Sequence, residues 1–279
     1  MNHYTVAVIT KKGGQSVDEL LAPFDEGIEV DRYIRNTKQE LIDKKKKEIK
    51  EYAENGPYSE YIKNPEEYAK KWTNPVHLNY LKNEFPKELK WSTDEEFYAE
   101  AIRFIGEEDL DEDGNETSTY NPKSKWDWYT TGGRWSCALT LKDGTREDSA
   151  SIKEIDFNPT EEEIKKAEKF WELYVEKGIE NLTEEEKDFI GFVLYKKEYY
   201  KNYYKDKDDY VKRTTSFSTY AVLTPDGKWH EPGPMGWFGM SGDSPESKAE
   251  YENSYYDSFI KPYVESDEEY IFTIVDCHI

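Results

Sequence analysis

The chain of 279 residues contains only two cysteines, Cys137 and Cys277, and they lie far apart in the sequence. So few cysteines exclude a disulfide framework, which favours a reducing compartment such as the cytoplasm. Long apolar runs are also missing, because no window approaches the roughly 20 apolar residues that span a bilayer. The apolar stretch at 4–9 is short, and no basic leader precedes it. We therefore expect a cytoplasmic protein that has no contact with a membrane.

Hydrophobic residues are scarce, at 36%, but aromatic residues reach 15%, with 8 Trp, 23 Tyr and 12 Phe. Each large ring removes much apolar area from water, so a core can be built from few side chains. A charged fraction of 35% would indicate disorder if aromatic residues were rare. Since they are abundant, the composition predicts a folded protein with a heavily charged surface.

Positive charge is outnumbered, since 38 Lys and Arg stand against 60 Asp and Glu, which gives a formal net charge of −22. A nucleic acid would be repelled by this excess, so we expect no direct nucleic-acid binding. The acidity is consistent with two interpretations. It secures solubility alone, or it presents carboxylates to a basic partner.

Alternating β-branched residues predict strands, and helix-favouring runs that follow Ser or Thr caps predict helices. The predicted strands are 4–10, 28–34, 136–141, 218–223 and 270–275, and the predicted helices are 38–54, 58–72, 76–84, 93–105, 160–177, 183–205 and one from 244. These distant segments predict an α+β fold with one mixed or antiparallel sheet and helices mainly on one face. We expect residues 1–279 to form a single domain with two lobes and a helical insertion at about 158–212.

Residues 120–135 combine three Trp, two Tyr, two adjacent Gly and one Arg. One interpretation is a ligand site, in which glycine N–H groups receive an anion, Arg134 binds phosphate and indole rings stack on a base. The other is a tight turn with Trp126, Trp128 and Trp135 in the core and Arg134 paired to an internal carboxylate. The candidate ligand-binding residues are Lys125, Trp126, Asp127, Trp128, Tyr129, Gly132, Gly133, Arg134 and Trp135.

A second segment, 228–240, is rich in Gly and Pro and carries His230, Trp237 and Phe238. Such an apolar loop is costly to leave in water. It either folds back onto the core or covers a ligand or partner. His230, Trp237 and Phe238 therefore complete the set of candidate ligand-binding residues.

Two further segments have the residue types of a metal site. The chain ends on Asp276-Cys277-His278, but neighbouring strand residues point to opposite faces, and zinc-ligand spacing is missing. The acidic run 109–115 matches half of a calcium loop, although its twelfth position is Tyr120 instead of a bidentate Glu. A solvated loop is the alternative for this run, and we predict no metal ion and no cofactor. The chain also lacks the motifs of common nucleophilic catalysts, which disfavours an ordinary hydrolase and assigns no catalytic residue.

Three blocks of the sequence are distinctive: 121–135, with NPKSKWDWY and GGRW; 235–239, MGWFG; and 275–279, VDCHI. In these blocks the chain resembles a family of uncharacterised bacteriophage and prophage proteins, and the strand at 5–9 also fits that family. The resemblance implies an accessory phage gene whose product acts in the cytoplasm of the bacterial host. It carries no activity over to this chain.

Three functions are consistent with these observations, besides a phage structural or assembly role. The first is an inhibitor of a bacterial anti-phage defence system that acts by binding, with an acidic surface against the basic nucleic-acid groove of a host defence protein. The second is a binder, or sponge, of a small nucleotide or nucleotide signal at the Trp, Gly and Arg segment. The third is a nucleotide-processing enzyme with His230, Asp276 or His278 as acid or base.

Overall fold

The computed structural model describes residues 2–235 and 241–279. The strands of these residues are β1 (His3–Lys11), β2 (Glu29–Asn36), β3 (Glu116–Tyr120), β4 (Trp128–Thr131), β5 (Leu139–Thr140), β6 (Arg146–Glu147), β7 (Ser149–Ser151), β8 (Ala221–Leu223), β9 (Trp229–His230) and β10 (Tyr270–His278). The fold is α+β, as predicted, and its main sheet is mixed and joins distant segments.

The α-helices of the described residues are α1 (Val17–Leu21), α2 (Lys38–Glu54), α3 (Pro57–Lys63), α4 (Pro65–Lys71), α5 (Pro75–Asn79), α6 (Phe85–Glu88), α7 (Asp94–Ala101), α8 (Glu161–Phe170), α9 (Glu184–Ile190), α10 (Lys197–Tyr203), α11 (Lys207–Thr215), α12 (Pro245–Tyr255) and α13 (Lys261–Val264). None of the helices in the described part of the chain has both the length and the apolar character that crossing a bilayer requires.

The chain divides into two compact units, one of residues 1–28 and 121–279 and the other of residues 29–120. We call them the sheet unit and the helical unit. The predicted single domain with a helical insertion at about 158–212 stays a prediction. Helices α8 to α11 fall close to that range and surround a buried cluster of their own, which includes Trp171, Tyr174 and Tyr210.

The sheet unit is organised around β10, which lies between β1 and two shorter strands. Strands β1 and β10 pair antiparallel from His3 opposite His278 to Lys11 opposite Tyr270. The other edge of β1 pairs in parallel with β8, and the other edge of β10 pairs with β4 and β7. The parallel β1–β8 pair makes the sheet mixed.

Both faces of this sheet are buried. Since successive strand residues point to opposite sides, neighbours in the sequence belong to different cores. Tyr4, Val6 and Val8 pack with Leu21 of α1 and with Trp126, on what we call face A. The list of buried residues on face B comprises Ala7, Ile9, Leu139, Ile152, Ile155, Val222, Tyr255, Ile260, Phe272 and Ile274. Tyr255 is the last residue of α12, so α12 packs on face B, whereas the shorter helix α1 packs on face A.

The helical unit has its own small core. Leu41, Ile42 and Ile49 line one side of α2, and Leu81 and Phe85 are buried as well. Strands β2 and β3 pair antiparallel, with Glu29 opposite Tyr120. The first and last residues of this unit are therefore neighbours.

Predicted helix starts are confirmed where a local signal defines them. Thr93, Thr160 and Thr183 each form a capping box with the Glu three residues later, and Ser244 caps α12 with Pro245 at its first position.

Several predicted elements are shorter than expected, and three of them have a clear local reason. The helix at 58–72 is interrupted at Asn64, whose side chain caps α4, and Pro65 begins a new helix. The helix at 183–205 stops at Gly191, which has a φ of +64°. The strand at 136–141 narrows to β5, because Cys137 has a φ of +57° and its N–H donates to the Asp148 carboxylate.

We expect residues 29–120, produced alone, to fold, because their buried side chains and their strand pair lie within this stretch. Thermal unfolding followed by circular dichroism should then show one cooperative transition. The variant Phe85→Ala should lower the midpoint temperature of that transition. A gradual loss of signal without a transition would contradict this expectation.

Candidate functional site

The tryptophan-rich segment enters the sheet unit as β4, the strand beside the end of β10. Trp128 lies opposite His278 and Tyr129 lies opposite Cys277. Because side chains alternate along a strand, Tyr129 points to face A and Trp128 to the end of face B. One short strand thus divides the predicted site between two sides of the sheet.

Trp126 and Tyr129 belong to the core of face A. Trp126 is 7% exposed, and its indole N–H donates to the carbonyl of Leu21 at 3.2 Å. The Tyr129 ring meets Trp126 edge to face at 4.8 Å, and its hydroxyl donates to Asp18 at 2.5 Å. Burial and the Asp18 carboxylate raise the pKa of Tyr129. The buried Trp126 ring therefore offers no open face for stacking on a base.

Lys125 is already neutralised within the sheet unit. Its ammonium nitrogen lies 2.5 Å from a carboxylate oxygen of Glu231, and both side chains are largely buried. Its carbonyl accepts a hydrogen bond from the Tyr4 hydroxyl. An incoming phosphate would have to compete with Glu231 for this charge.

The glycine turn receives an anion that the protein itself supplies. Gly132 and Gly133 have φ values of +68° and +55°, and the N–H of Arg134 donates to Oδ2 of the buried Asp276 at 3.0 Å. A Cβ on Gly133 would lie 2.5 Å from Asp276, and one on Gly132 would lie 2.4 Å from Asp148. The close approach of these carboxylates to the backbone explains why both positions hold glycine.

Two histidines meet at the same end of face B, and each is held by a carboxylate. Asp276 Oδ1 lies 2.8 Å from Nδ1 of His3, and Asp127 Oδ1 lies 2.6 Å from Nδ1 of His278. The two imidazole rings are 5.0 Å apart, and Trp128 stacks on His278 at 5.1 Å with an interplanar angle of 16°. We call these five residues the histidine pair and its partners.

A carboxylate at each Nδ1 atom fixes the orientation of the imidazole ring, so that each Nε2 atom is available for a different hydrogen bond. The Nε2 of His278 is buried and has no hydrogen-bond partner among the described residues. Cys277 next to it points to face A, and burial raises the pKa of its thiol. Two oriented imidazoles therefore stand together, with the cysteine on the opposite face of the sheet.

Sequence reasoning singled out Asp127, Trp128, Asp276 and His278 but did not connect them, and it gave His3 no role. Their sequence separations are 273 residues for His3 and Asp276 and 151 for Asp127 and His278. The alternation of apolar residues in the first and last strands was the available signal. The antiparallel pairing of β1 with β10 brings His3 to Asp276 and His278, and the pairing of β4 with β10 adds Asp127 and Trp128.

Arg134 and Trp135 leave the glycine turn in different environments. The Arg134 side chain is exposed, and no carboxylate lies within ion-pair distance of it in the described part of the chain. Trp135 is half-buried and packs against the core of face B. Arg134, the half-exposed Trp128, Asp127 and Gly133 are thus the exposed members of the predicted set among the described residues.

The second candidate segment contributes His230, which ends β9. Its ring lies 5.0 Å from Phe259, and its Nε2 is 3.3 Å from the Thr224 hydroxyl. Burial lowers the pKa of His230. Trp237 and Phe238 lie outside the described residues.

The half-matched calcium loop is closed by its own side chains. Asp111 accepts hydrogen bonds from the backbone N–H groups of Asp113 and Asn115, at 3.0 and 2.8 Å, and from the Asn115 amide at 2.9 Å. These bonds, that from the Asn115 amide first, lower the pKa of Asp111. Across residues 2–235 and 241–279, no group of three or more His, Cys, Asp or Glu side chains is placed to hold a metal ion.

The densest charge of the chain lies in residues 94–116 of the helical unit, which we call the acidic segment. It contains eleven acidic residues and one basic residue, Arg103, and so holds a net −10 of the total −22. Its acidic side chains without an ion pair among the described residues include Glu95, Glu107, Glu108, Asp109, Glu112 and Asp113, all exposed. Phe104, in the middle of the segment, is 89% exposed.

In comparisons with known proteins, no protein-family model, no curated protein and no solved structure matches this chain.

We expect Gly133→Ala to cost more stability than Gly144→Ala. Both positions have positive φ, but a Cβ at Gly144 meets nothing within 4 Å, whereas one at Gly133 meets Asp276. The backbone cost is common to both, so the difference, about 1–3 kcal/mol, reports the displaced carboxylate. Urea unfolding of both variants measures it. Equal losses of unfolding free energy in the two variants would mean that the contact between Asp276 and the glycine turn does not contribute to stability.

Proposed function

We propose that this protein is a phage-encoded accessory protein that inhibits a bacterial anti-phage defence system by binding. The acidic segment is the binding surface, and its partner is a host defence protein with a basic nucleic-acid groove. The inhibitor acts in the bacterial cytoplasm. The observation that carries the proposal is the concentration of exposed, unpaired carboxylates in residues 94–116.

The arrangement of charge supports a role beyond solubility. Carboxylates elsewhere on the chain often pair with a lysine on the next helical turn, as Glu67 does with Lys70 and Glu161 with Lys165. Within the acidic segment, the run Glu107-Glu108-Asp109 makes no such pair in the described chain. Neighbouring like charges repel one another, and a partner with clustered Lys and Arg would relieve that repulsion.

Phe104 supports a protein partner in particular. Aromatic side chains that are surrounded by polar groups are frequent energetic anchors of protein interfaces. The guanidinium of Arg103 lies 5.3 Å from the Phe104 ring and is the one neighbouring cation within the segment. A partner could therefore bury this ring at the centre of a charged contact.

The nucleotide sponge is the second candidate function, and one observation favours it. Arg134 is exposed and unpaired in the described chain, with the half-exposed Trp128 nearby on the same segment. The engagement of Lys125 and the burial of Trp126 leave this surface with less to offer a nucleotide than the sequence predicted. We rank it behind the acidic segment for that reason.

Removing three charges from the acidic segment tests the first proposal. The triple variant Glu107→Gln, Glu108→Gln, Asp109→Asn keeps the size of the side chains, and we expect it to bind the partner roughly tenfold more weakly. The partner is the host protein that co-purifies with the full chain, and binding is measured by surface plasmon resonance from about 0.05 to 0.5 M salt. Wild-type affinity should fall steeply over this range, and duplex DNA should compete.

The matched control removes three exposed charges from the sheet unit that make no ion pair in the described chain, with Glu162→Gln, Glu185→Gln and Glu246→Gln. It should bind nearly as tightly as the wild type. The proposal would be wrong if the affinity changed neither with salt nor in the triple variant. Equal losses of affinity in the two variants would mean that only the net charge matters.

A separate prediction concerns Phe104. Phe104→Ala should weaken the same complex by about 1–3 kcal/mol while leaving the salt dependence unchanged, because the ring contributes apolar contact and no charge. Phe192→Ala is the control, since Phe192 is 92% exposed and lies in the sheet unit. Unchanged binding by Phe104→Ala would place the ring outside the interface.

A further inference from the structure

The rings of three tyrosines, Tyr195, Tyr199 and Tyr203, stack in a row. Tyr199 and Tyr203 belong to α10, and Tyr195 lies two residues before the helix begins. The first two ring centroids are 4.1 Å apart with an interplanar angle of 19°, and the next two are 5.1 Å apart with an angle of 15°. Within α10, the spacing of four residues places Tyr199 and Tyr203 on one side of the helix, and Tyr195, which precedes the helix, continues their stack. We call the row the tyrosine ladder.

The inner end of the ladder is closed by a buried cation. The guanidinium carbon of Arg213 lies 4.8 Å from the Tyr203 ring, and Arg213 is itself held by Glu252 at 2.7 Å and Asp209 at 3.4 Å. A stack that ends on a buried, ion-paired arginine keeps its orientation. The ladder is thus a preformed platform.

The outer end of the ladder is open. Tyr195 is 48% exposed, and Tyr199 is the one ring that contacts it in the described chain. Phe192 and Leu194, which precede it, are 92% and 71% exposed. An apolar and aromatic surface of this kind is unusual on a chain with so much charge and indicates a binding site.

The charge around the ladder is opposite to that of the chain as a whole. Residues 195–207 contain five Lys against two acidic residues. Lys196, Lys201 and Lys205 are exposed and have no carboxylate within ion-pair distance in the described chain, whereas Lys197 pairs with Glu180 at 3.2 Å. Three lysine charges are therefore free to bind an anion.

Two more observations place cations and space beside the ladder. Burial, together with Tyr203 and Tyr195, raises the pKa of Tyr199, while Lys248 and Arg213 lower it, so both cations lie near the rings. A cavity of about 170 Å³ lies at Lys196, the residue after Tyr195, and its lining is Tyr174, Ile179, Glu180, Lys196, Lys197 and Glu198, so that lysines and carboxylates both face it. The Tyr174 hydroxyl donates to the Tyr195 carbonyl at 2.8 Å and fixes this side of the platform.

We propose that the outer end of the tyrosine ladder binds a nucleobase that carries phosphate, with the base stacked on Tyr195 and the phosphate at Lys196. A stacking ring beside unpaired lysines is the combination with which proteins bind single-stranded nucleic acid. The same chemistry also suits a free nucleotide. The site lies in the sheet unit and does not depend on the acidic segment, so each proposal stands or fails alone.

Binding to the full-length protein is measured at low salt with two probes. The first is a fluorescein-labelled single-stranded DNA of about 12 nucleotides, followed by anisotropy. The second is AMP, followed by isothermal titration calorimetry and used as a competitor of the first. Competition by AMP identifies the base with its phosphate as the recognised unit, and binding of the oligonucleotide alone identifies a strand as the source.

We expect Tyr195→Ala to weaken binding by about tenfold or more, as the loss of one stacked base does. Tyr195→Phe should keep most of the affinity, because it retains the ring. Lys196→Glu should weaken binding and reduce its salt dependence. The control variants are Tyr256→Ala, whose side chain is also 48% exposed, and Lys261→Glu, which makes the same change of charge.

The controls should bind like the wild type. No binding of either probe at low salt would overturn the proposal. Binding that Tyr195→Ala and Lys196→Glu leave unchanged would overturn it as well. If Tyr195→Ala fails to fold, Lys196→Glu and Tyr195→Phe still decide the question, since neither removes a buried group.

Discussion

The antiparallel pairing of β1 with β10 is the interaction on which the sheet unit depends. Nine residues of each strand lie in register, and their alternating side chains supply the centres of both buried faces. Every other strand of the main sheet except β9 is hydrogen-bonded to one of these two. The same register places His3 opposite His278, so the polar end of face B is a direct product of this pairing.

Local signals in the sequence were sufficient for the fold class and for most helix starts. Thr160 with Glu163 and Ser244 with Pro245 are spaced as a helix start requires, and neither needs distant partners. The candidate site was harder, because its contacts join opposite ends of the chain. In one of the two interpretations of the sequence the glycine turn receives an anion, and it does, but that anion is the Asp276 carboxylate. Composition alone cannot distinguish an internal carboxylate from a ligand.

Charge is distributed unevenly, and the two proposed surfaces follow from that distribution. The acidic segment holds a net −10, whereas residues 195–207 are locally basic. A single value of −22 hides both features. The expectation that an acidic protein repels nucleic acid therefore describes the chain on average. At ordinary salt, screening limits electrostatic repulsion to about 10 Å. Contacts at Tyr195 and Lys196 therefore depend mainly on the charges close to them.

The neighbouring positions of Glu29 and Tyr120 have a consequence for how such a protein can change over generations. A stretch whose two ends meet can be exchanged by recombination for another stretch of different length, because the join needs to span only the distance between paired strands. The acidic segment lies inside that exchangeable stretch, whereas the tyrosine ladder lies outside it. One lineage could thus acquire a new target through a single cassette while its sheet, its histidine pair and its ladder pass on unaltered.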